Sequence, residues 1–134
     1  MACWLQKSDL SAEDLPSLDK YSAFETYFDS LNIVELDAQF KELESPKGDW
    51  CPWGIGMGMD GPNGIHVTRD DVDKQTYCVL RKHDVTKKFL GFIPMKKNVE
   101  TYTYDLSASQ MKAAVREFYE DKHKLSLDNW AGGK

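Results

Sequence analysis

The residues that could act as nucleophiles, acids or bases are few in this sequence and lie far apart. Three cysteines, Cys3, Cys51 and Cys78, and two central histidines, His66 and His83, are the candidates. A thiolate and an imidazole can form a dyad from distant positions, because such partners meet in space rather than in sequence. Cys51 lies in a predicted loop and is the better nucleophile candidate, whereas Cys78 is expected to be a small buried hydrophobe within a strand. The spacing does not indicate a dyad, so no catalytic residue is predicted.

The acidic residues around His66 provide the best candidate for a hard-metal site or an acid-base pair. Asp60 precedes this histidine, and Asp70 follows it. A calcium loop would need oxygen ligands where Pro62 and Gly64 stand, so that pattern fails. The cysteines and histidines also lack the short, regular spacing of zinc ligands. We therefore predict no metal and no cofactor.

Three alternate glycines, Gly54, Gly56 and Gly58, are the most unusual feature of the sequence. They alternate with Ile55 and Met57, so a strand here would have one face without side chains. A dinucleotide-binding loop needs a different glycine spacing and a helix directly after it, so phosphate binding is not predicted. We expect another part of the chain to approach this backbone closely, and the C-terminal helix is the expected neighbour.

Charge is unevenly distributed along the chain. Residues 1–46 contain ten acids and three lysines, a net charge of −7, whereas residues 47–97 have a net charge of +3. The pI near 5.1 argues against binding of a nucleic-acid duplex as the main task. This acidic N-terminal third favours a protein partner with a complementary basic surface.

The leading functional hypothesis is a small, non-enzymatic binding protein, for instance an immunity-type or antitoxin-type inhibitor of a basic toxin. Such an inhibitor needs charges for fast association and a few aromatic anchors for affinity. The residues predicted to contact the partner are four acids and two tryptophans: Glu25, Asp29, Glu35, Asp37, Trp50 and Trp53.

Two other functions stay open at this point. A curved sheet and a helix could enclose a small-molecule or enzymatic pocket, with chemistry from His66 or Cys51. The predicted lining of this pocket is Trp50, Trp53, Met57, Met59 and Tyr77. The second alternative is nucleic-acid binding by a basic hairpin that contains Arg81, Lys82, Lys87 and Lys88.

Hydrophobic periodicity and capping signals predict the elements. A helix over about residues 20–31 begins at a Ser22/Glu25 capping box, and a longer helix over 107–122 begins at a second one. The alternation of Val34, Leu36, Ala38 and Phe40 with polar residues predicts a strand. Residues 1–19 are expected to be a loosely structured lead and residues 125–134 a mobile tail. Further strands are predicted at 54–59, 65–68, 75–81, 89–95 and 99–104.

These elements predict an α+β fold in a single domain over residues 1–134. It has a meander-like antiparallel sheet of five or six strands, a short N-terminal helix and a longer C-terminal helix packed on one face. The chain has no apolar run of membrane-spanning length, and its three cysteines form no disulfide pattern. We therefore expect a soluble cytoplasmic protein.

Overall fold

The computed structural model describes residues 2–44 and 51–120, except for the side chains of 85–89 and 96. Trp50 and the predicted tail over 125–134 lie outside the described residues. In chain order the elements are β1 (Cys3–Gln6), β2 (Ala12–Leu15), α1 (Tyr21–Ser30), α2 (Ile33–Glu44), β3 (Gly54–Met57), β4 (Gly64–Asp71), β5 (Thr76–Phe89), β6 (Ile93–Leu106) and α3 (Ala108–Glu120).

The strands form one antiparallel sheet in the order β2-β1-β3-β4-β5-β6. Strands β3 to β6 follow each other as a meander, and β1 lies between β2 and β3. This architecture confirms the predicted α+β fold with a mainly meandering antiparallel sheet.

The core lies on one face of this sheet. Ile55, Met57, Ile65, Val67 and Val79 point to that face and are almost completely buried. All three helices contribute their buried side chains to the same apolar cluster. Successive side chains of a strand point to opposite faces, so the side chains between these core residues lie on the other face of the sheet.

The two predicted helices are present, and one of the two predicted capping boxes is correct. At the start of α3, the Gln110 amide donates to Ser107 Oγ (3.2 Å), and the Ser107 amide donates to Gln110 Oε1 (2.9 Å). Helix α1 begins two residues earlier than a Ser22 cap would place it. Its N-cap is Lys20, whose side chain makes no capping hydrogen bond.

The strand predicted over residues 34–40 is wrong, because this segment is helix α2. The Asn32 carboxamide caps the helix by accepting a hydrogen bond from the Glu35 amide (3.2 Å). Leu36 and Phe40 satisfy both a two-residue and a helical period, whereas Val34 is 81% exposed and does not face the core. The period-2 pattern therefore reflected only part of a helical face.

The loosely structured lead expected over residues 1–19 is also wrong in its secondary structure. This segment contains β1 and β2, joined by a tight turn in which the Leu10 amide donates to Lys7 O (3.1 Å). Leu10 has a left-handed backbone, with φ of 72°. Each strand has only four residues, so the alternation was too short to reveal them.

The strand predicted at 89–95 is wrong as one strand, because it covers the end of β5, the turn and the start of β6, whereas the strand predicted at 99–104 lies within β6. The polar turn expected at residues 83–88 is part of β5, and the chain reverses at Leu90–Phe92. Leu90 and Gly91 have φ values of 54° and 83° there. Lys82 is the last β5 residue paired with β4. Residues 83–99, called the arm below, therefore extend past β4 as a two-stranded ribbon.

Candidate functional site

The face of the sheet opposite the core is the candidate functional site, and we call it the open face. One cross-strand row crosses it from edge to edge, and its members in sheet order are Asp14, Trp4, Gly56, His66, Leu80 and Tyr102. The described helices all pack on the other face. In the described part of the chain, this row is therefore left without a covering helix.

Trp4 fills the space left by the glycines. A β-carbon added at Gly56 would lie 2.4 Å from the Trp4 indole, so the ring lies directly on this backbone. The prediction of a close approach is confirmed, but the expected neighbour is wrong, because an indole from β1 approaches Gly56 and the C-terminal helix packs on the opposite face. Gly54 is restricted differently, since a β-carbon there would lie 2.3 Å from Val67 O.

His66 lies next to Trp4 at the centre of the row. Their ring centroids are 6.3 Å apart with an interplanar angle of 46°. The histidine is partly buried, and its Nε2 atom is buried without a hydrogen-bond partner among the described residues. Burial lowers the pKa of His66 below its ordinary value, because a charged imidazolium would lose hydration there. The imidazole is therefore held neutral near pH 7.

Two tyrosines extend the open face along β6. Tyr102 and Tyr104 stack in parallel with ring centroids 6.2 Å apart, and both are about half exposed. Large aromatic rings that are held by a strand lose little conformational freedom on binding. This end of the open face is therefore suited to contact another molecule.

The charges on the open face are mainly negative. Outside the arm, Asp14, Glu100 and Lys82 lie on this face by their strand pairing, and Asp70 lies at the bulge of β4, where its carboxylate accepts a hydrogen bond from the Asp105 amide (2.9 Å). The Lys82 ammonium donates to Met59 O at 3.0 Å, which holds it against the adjacent turn. The open face therefore presents aromatic rings with a net acidic charge.

Asp37 and Trp53, two of the predicted partner-binding residues, have a structural role in the core instead. Asp37 accepts two hydrogen bonds from Arg69 and one from Trp53 Nε1 (2.8 Å). Trp53 is 1% exposed, so its ring has no surface to offer a partner. The partner contacts predicted for these two residues stay a prediction, but α2 turns Asp37 towards Arg69 and the fold buries Trp53.

The other predicted acids are at the surface but do not form one patch. Asp29 makes an exposed ion pair with Lys112 (2.7 Å), and Glu25 accepts a hydrogen bond from Tyr21 (3.0 Å) in the groove between α1 and α3. Glu35 lies near the start of α2, in a different groove next to β1 and β2. The described structure thus places Glu35 in a different groove from Glu25.

The pocket proposed between sheet and helix is filled by its own predicted lining. Trp53, Met57 and Tyr77 are all core residues, with Tyr77 packed edge-on against Trp53 at a centroid distance of 6.2 Å. The Tyr119 hydroxyl lies 3.3 Å from Met57 Sδ. These side chains build the core instead of lining a cavity.

Cys51 and Cys78 are not activated as nucleophiles. Burial raises the pKa of the Cys78 thiol to about 11, and burial also raises the pKa of Cys51. A nucleophilic cysteine needs the opposite shift, since the thiolate is the reactive form. Near neutral pH both groups are therefore thiols.

Neither a metal site, a membrane-spanning helix nor a similar known protein gives a further indication of function for the described part of the chain. Within residues 2–44 and 51–120, no three His, Cys, Asp or Glu side chains are grouped so that they could hold a metal ion. Nor does this part contain a helix of the length and apolarity needed to cross a bilayer. The chain matches no family model, no curated protein and no solved structure.

Sequence reasoning did not single out Tyr102 and Tyr104 as candidate contact residues, although it placed them in a strand. Their alternation with threonines was visible, but threonine and tyrosine both tolerate either face of a sheet. The pattern alone therefore did not indicate which face was covered by helices.

Proposed function

We propose that this chain is a non-enzymatic binding protein and that its open face engages a partner protein. The observation that carries the proposal is the row of aromatic side chains on a sheet face with no described helix over it. Tyr102 and Tyr104 are about half exposed there, and Trp4 is partly exposed on the same face. Tryptophan and tyrosine are the residues most often responsible for affinity at protein interfaces.

The shape of the open face supports a protein ligand. Small molecules bind mainly in concave sites that cover most of their surface. The open face is instead built on six strands, with Trp4 lying against the backbone of Gly56 so that no cleft forms between them. A wide and shallow surface of this kind suits another folded protein.

Charge supports a basic partner. Outside the arm, the open face carries Asp14 and Glu100 against Lys82, and the chain as a whole has a formal charge of −5. Complementary charge speeds association and disfavours acidic competitors. An immunity-type or antitoxin-type inhibitor that covers a basic toxin is the specific form of this proposal.

Site-specific photo-crosslinking in cells tests the proposal directly. A photoreactive phenylalanine analogue at position 102 should crosslink to one basic protein, whereas the same analogue at position 34 should not. Val34 is the matched control because it is an exposed apolar residue on α2, away from the open face. Equal crosslinking at both positions, or capture of an acidic protein at 102, would contradict the proposal.

Once the captured partner is identified, it should be purified without crosslinking, and its binding to this chain should be measured by calorimetry. Loss of a central aromatic contact costs 2 kcal/mol or more at an interface hot spot, which is about 30-fold or more in Kd. We therefore expect Tyr102→Asp to weaken binding by at least about that factor, and Val34→Asp to leave it unchanged. If the captured protein is a toxin, its activity should fall in proportion to the complex formed.

A further inference from the structure

The tip of the arm concentrates exposed apolar side chains. Eight large hydrophobic residues are exposed among the described residues, and four of them lie within six positions at this tip. They are Leu90, Phe92, Ile93 and Met95, and Phe92 is 73% exposed. A cluster of this kind on a projecting element indicates a contact surface, since single exposed hydrophobes would be scattered.

The arm is also the most basic part of the chain. Its sequence over residues 83–99 contains four lysines and one acid, Asp84, although the chain as a whole is acidic. Asp84 Oδ1 accepts a hydrogen bond from the Asn98 carboxamide (2.9 Å), and that carboxamide also donates to Pro62 O (3.0 Å). The root of the arm is therefore fixed to the β3–β4 turn, and its tip extends away from it.

A groove with the complementary character lies at the other side of the molecule. It encloses about 360 Å³ between β1, β2 and helices α1 and α2, and we call it the head groove. Its apolar residues are Leu5, Tyr27, Leu31 and Leu36, and its acids are Glu13 and Glu35. Lys7 is its one base, and it lies 3.7 Å from Glu13.

Two of the other grooves fit the arm less well. The groove between α1 and α3 has Tyr21 and Ala113 as its apolar lining residues, so it lacks the row of leucines that an apolar tip would cover. The acidic pocket beside α2 is smaller, at about 200 Å³, and is mostly polar. The head groove combines an apolar floor with an excess of acid.

An arm cannot reach the head groove of its own chain. The arm continues β5 and β6 at one edge of the sheet, whereas the groove adjoins β1 and β2 at the other edge. Strand spacing of about 4.8 Å separates β1 from β6 by roughly 19 Å. The matching surfaces therefore belong to different copies.

We propose that the arm tip of one copy docks in the head groove of a second copy. The apolar tip covers Leu31 and Leu36, and the basic arm lies against the acids Glu13 and Glu35. The contact joins two different surfaces, so each copy keeps one free arm and one free groove unless the assembly closes on itself. The open face takes no part in it, and partner binding there is a separate property.

Sedimentation velocity of the full chain over a range of concentrations tests this contact. Wild type should form species of two or more copies, and added salt should weaken them because the charges are screened. Phe92→Asp should be monomeric, whereas the matched control Val34→Asp should assemble like wild type. Both side chains are highly exposed, so thermal melting should show that both variants fold.

A mixing experiment makes the test specific to arm and groove. The double variant Glu13→Lys/Glu35→Lys keeps its arm but loses the acids of the groove, so it should be monomeric by itself. Mixed with Phe92→Asp, which keeps its groove, it should form a heterodimer and no larger species. This outcome requires one intact arm and one intact groove, so nonspecific association of the surfaces would not produce it.

Three results would overturn the proposal. A wild-type chain that stays monomeric at every concentration tested would do so, as would assembly that survives Phe92→Asp. The third is a chain that stays monomeric and binds vesicles of anionic phospholipid, while Phe92→Asp does not bind them. That result would assign the tip to a membrane surface. Crosslinking at position 102 is read separately, so partner binding can fail or succeed independently of this result.

Discussion

The guanidinium of Arg69 donates two hydrogen bonds to the carboxylate of Asp37, from Nε and from Nη2, each of 2.9 Å. Arg69 is 2% exposed and lies over the ring of Tyr77 at 4.5 Å from its centroid. This paired geometry satisfies a charge that the core would otherwise bury at high cost. The pair joins α2 to β4, so it fixes a helix on the sheet.

Removal of the Asp37 carboxylate should destabilise the fold strongly. Asp37→Ala leaves the Arg69 cation buried without its partner, and we expect a loss of about 3 to 5 kcal/mol in the free energy of unfolding. Urea denaturation followed by circular dichroism measures this loss. The exposed pair of Asp29 and Lys112 is the control, and Asp29→Ala should cost only about 0 to 1 kcal/mol. Equal losses in the two variants would show that the Asp37 pair has no special structural role.

A methyl group at position 56 should displace Trp4. Gly56→Ala places its β-carbon in the volume of the indole, and such overpacking typically costs about 1 to 3 kcal/mol. The loss should shrink in a Trp4→Ala background, because the conflicting ring is then absent. Gly61→Ala is the control, since its β-carbon would meet its nearest atom at 3.8 Å. If the cost of Gly56→Ala is the same with and without Trp4, the contact is not its cause.

His66 should make stability decrease as the pH falls. Its pKa in the folded state is lowered from 6.5 by burial, so below pH 6.5 the unfolded chain binds a proton that the folded chain still excludes. The free energy of unfolding should therefore fall from pH 6.5 down through the folded-state pKa. His66→Gln should flatten this part of a stability profile measured by urea denaturation. An unchanged slope in that variant would assign the pH dependence to other groups, His83 among them, whose pKa burial also lowers.

The sequence predicted best the elements that show a long periodic pattern or two agreeing signals. The C-terminal helix shows both a capping box and an apolar stripe, and its buried residues Met111, Ala114, Val115 and Phe118 belong to that stripe. The glycine-rich strand predicted at 54–59 is also present, as β3 (Gly54–Met57).

The prediction failed where one pattern fits two periods. Leu36 and Phe40 satisfy both strand and helix, and the deciding signal was the cap formed by Asn32 and Glu35. The sequence contains this N-x-x-E pattern, but the strand was predicted from the alternation of residues 34–40 without using it.

The candidate site was harder to predict because it depends on which face of the sheet the helices cover. Asp37 and Glu35 are two residues apart, yet the first is turned into the core and the second lies at the surface. That difference follows from α2 being helical, so the error in secondary structure became an error in the site. Trp4 was visible as an aromatic residue, but its contact with Gly56 arises from a pairing between distant strands.

The position of β1 between β2 and β3 has a consequence for how the chain folds. The β3 to β6 meander pairs neighbours along the chain, whereas Leu5 pairs with Ile55, fifty positions away. Pairing over such a distance loses chain entropy through closure of a long loop before its contacts form, so it is typically slow. We therefore expect the meander to form first and to expose the edge of β3 until β1 joins it. Until then, the exposed edge of the glycine-rich strand can pair with other chains and cause aggregation. The pairing of β1, which contains Trp4, covers this edge.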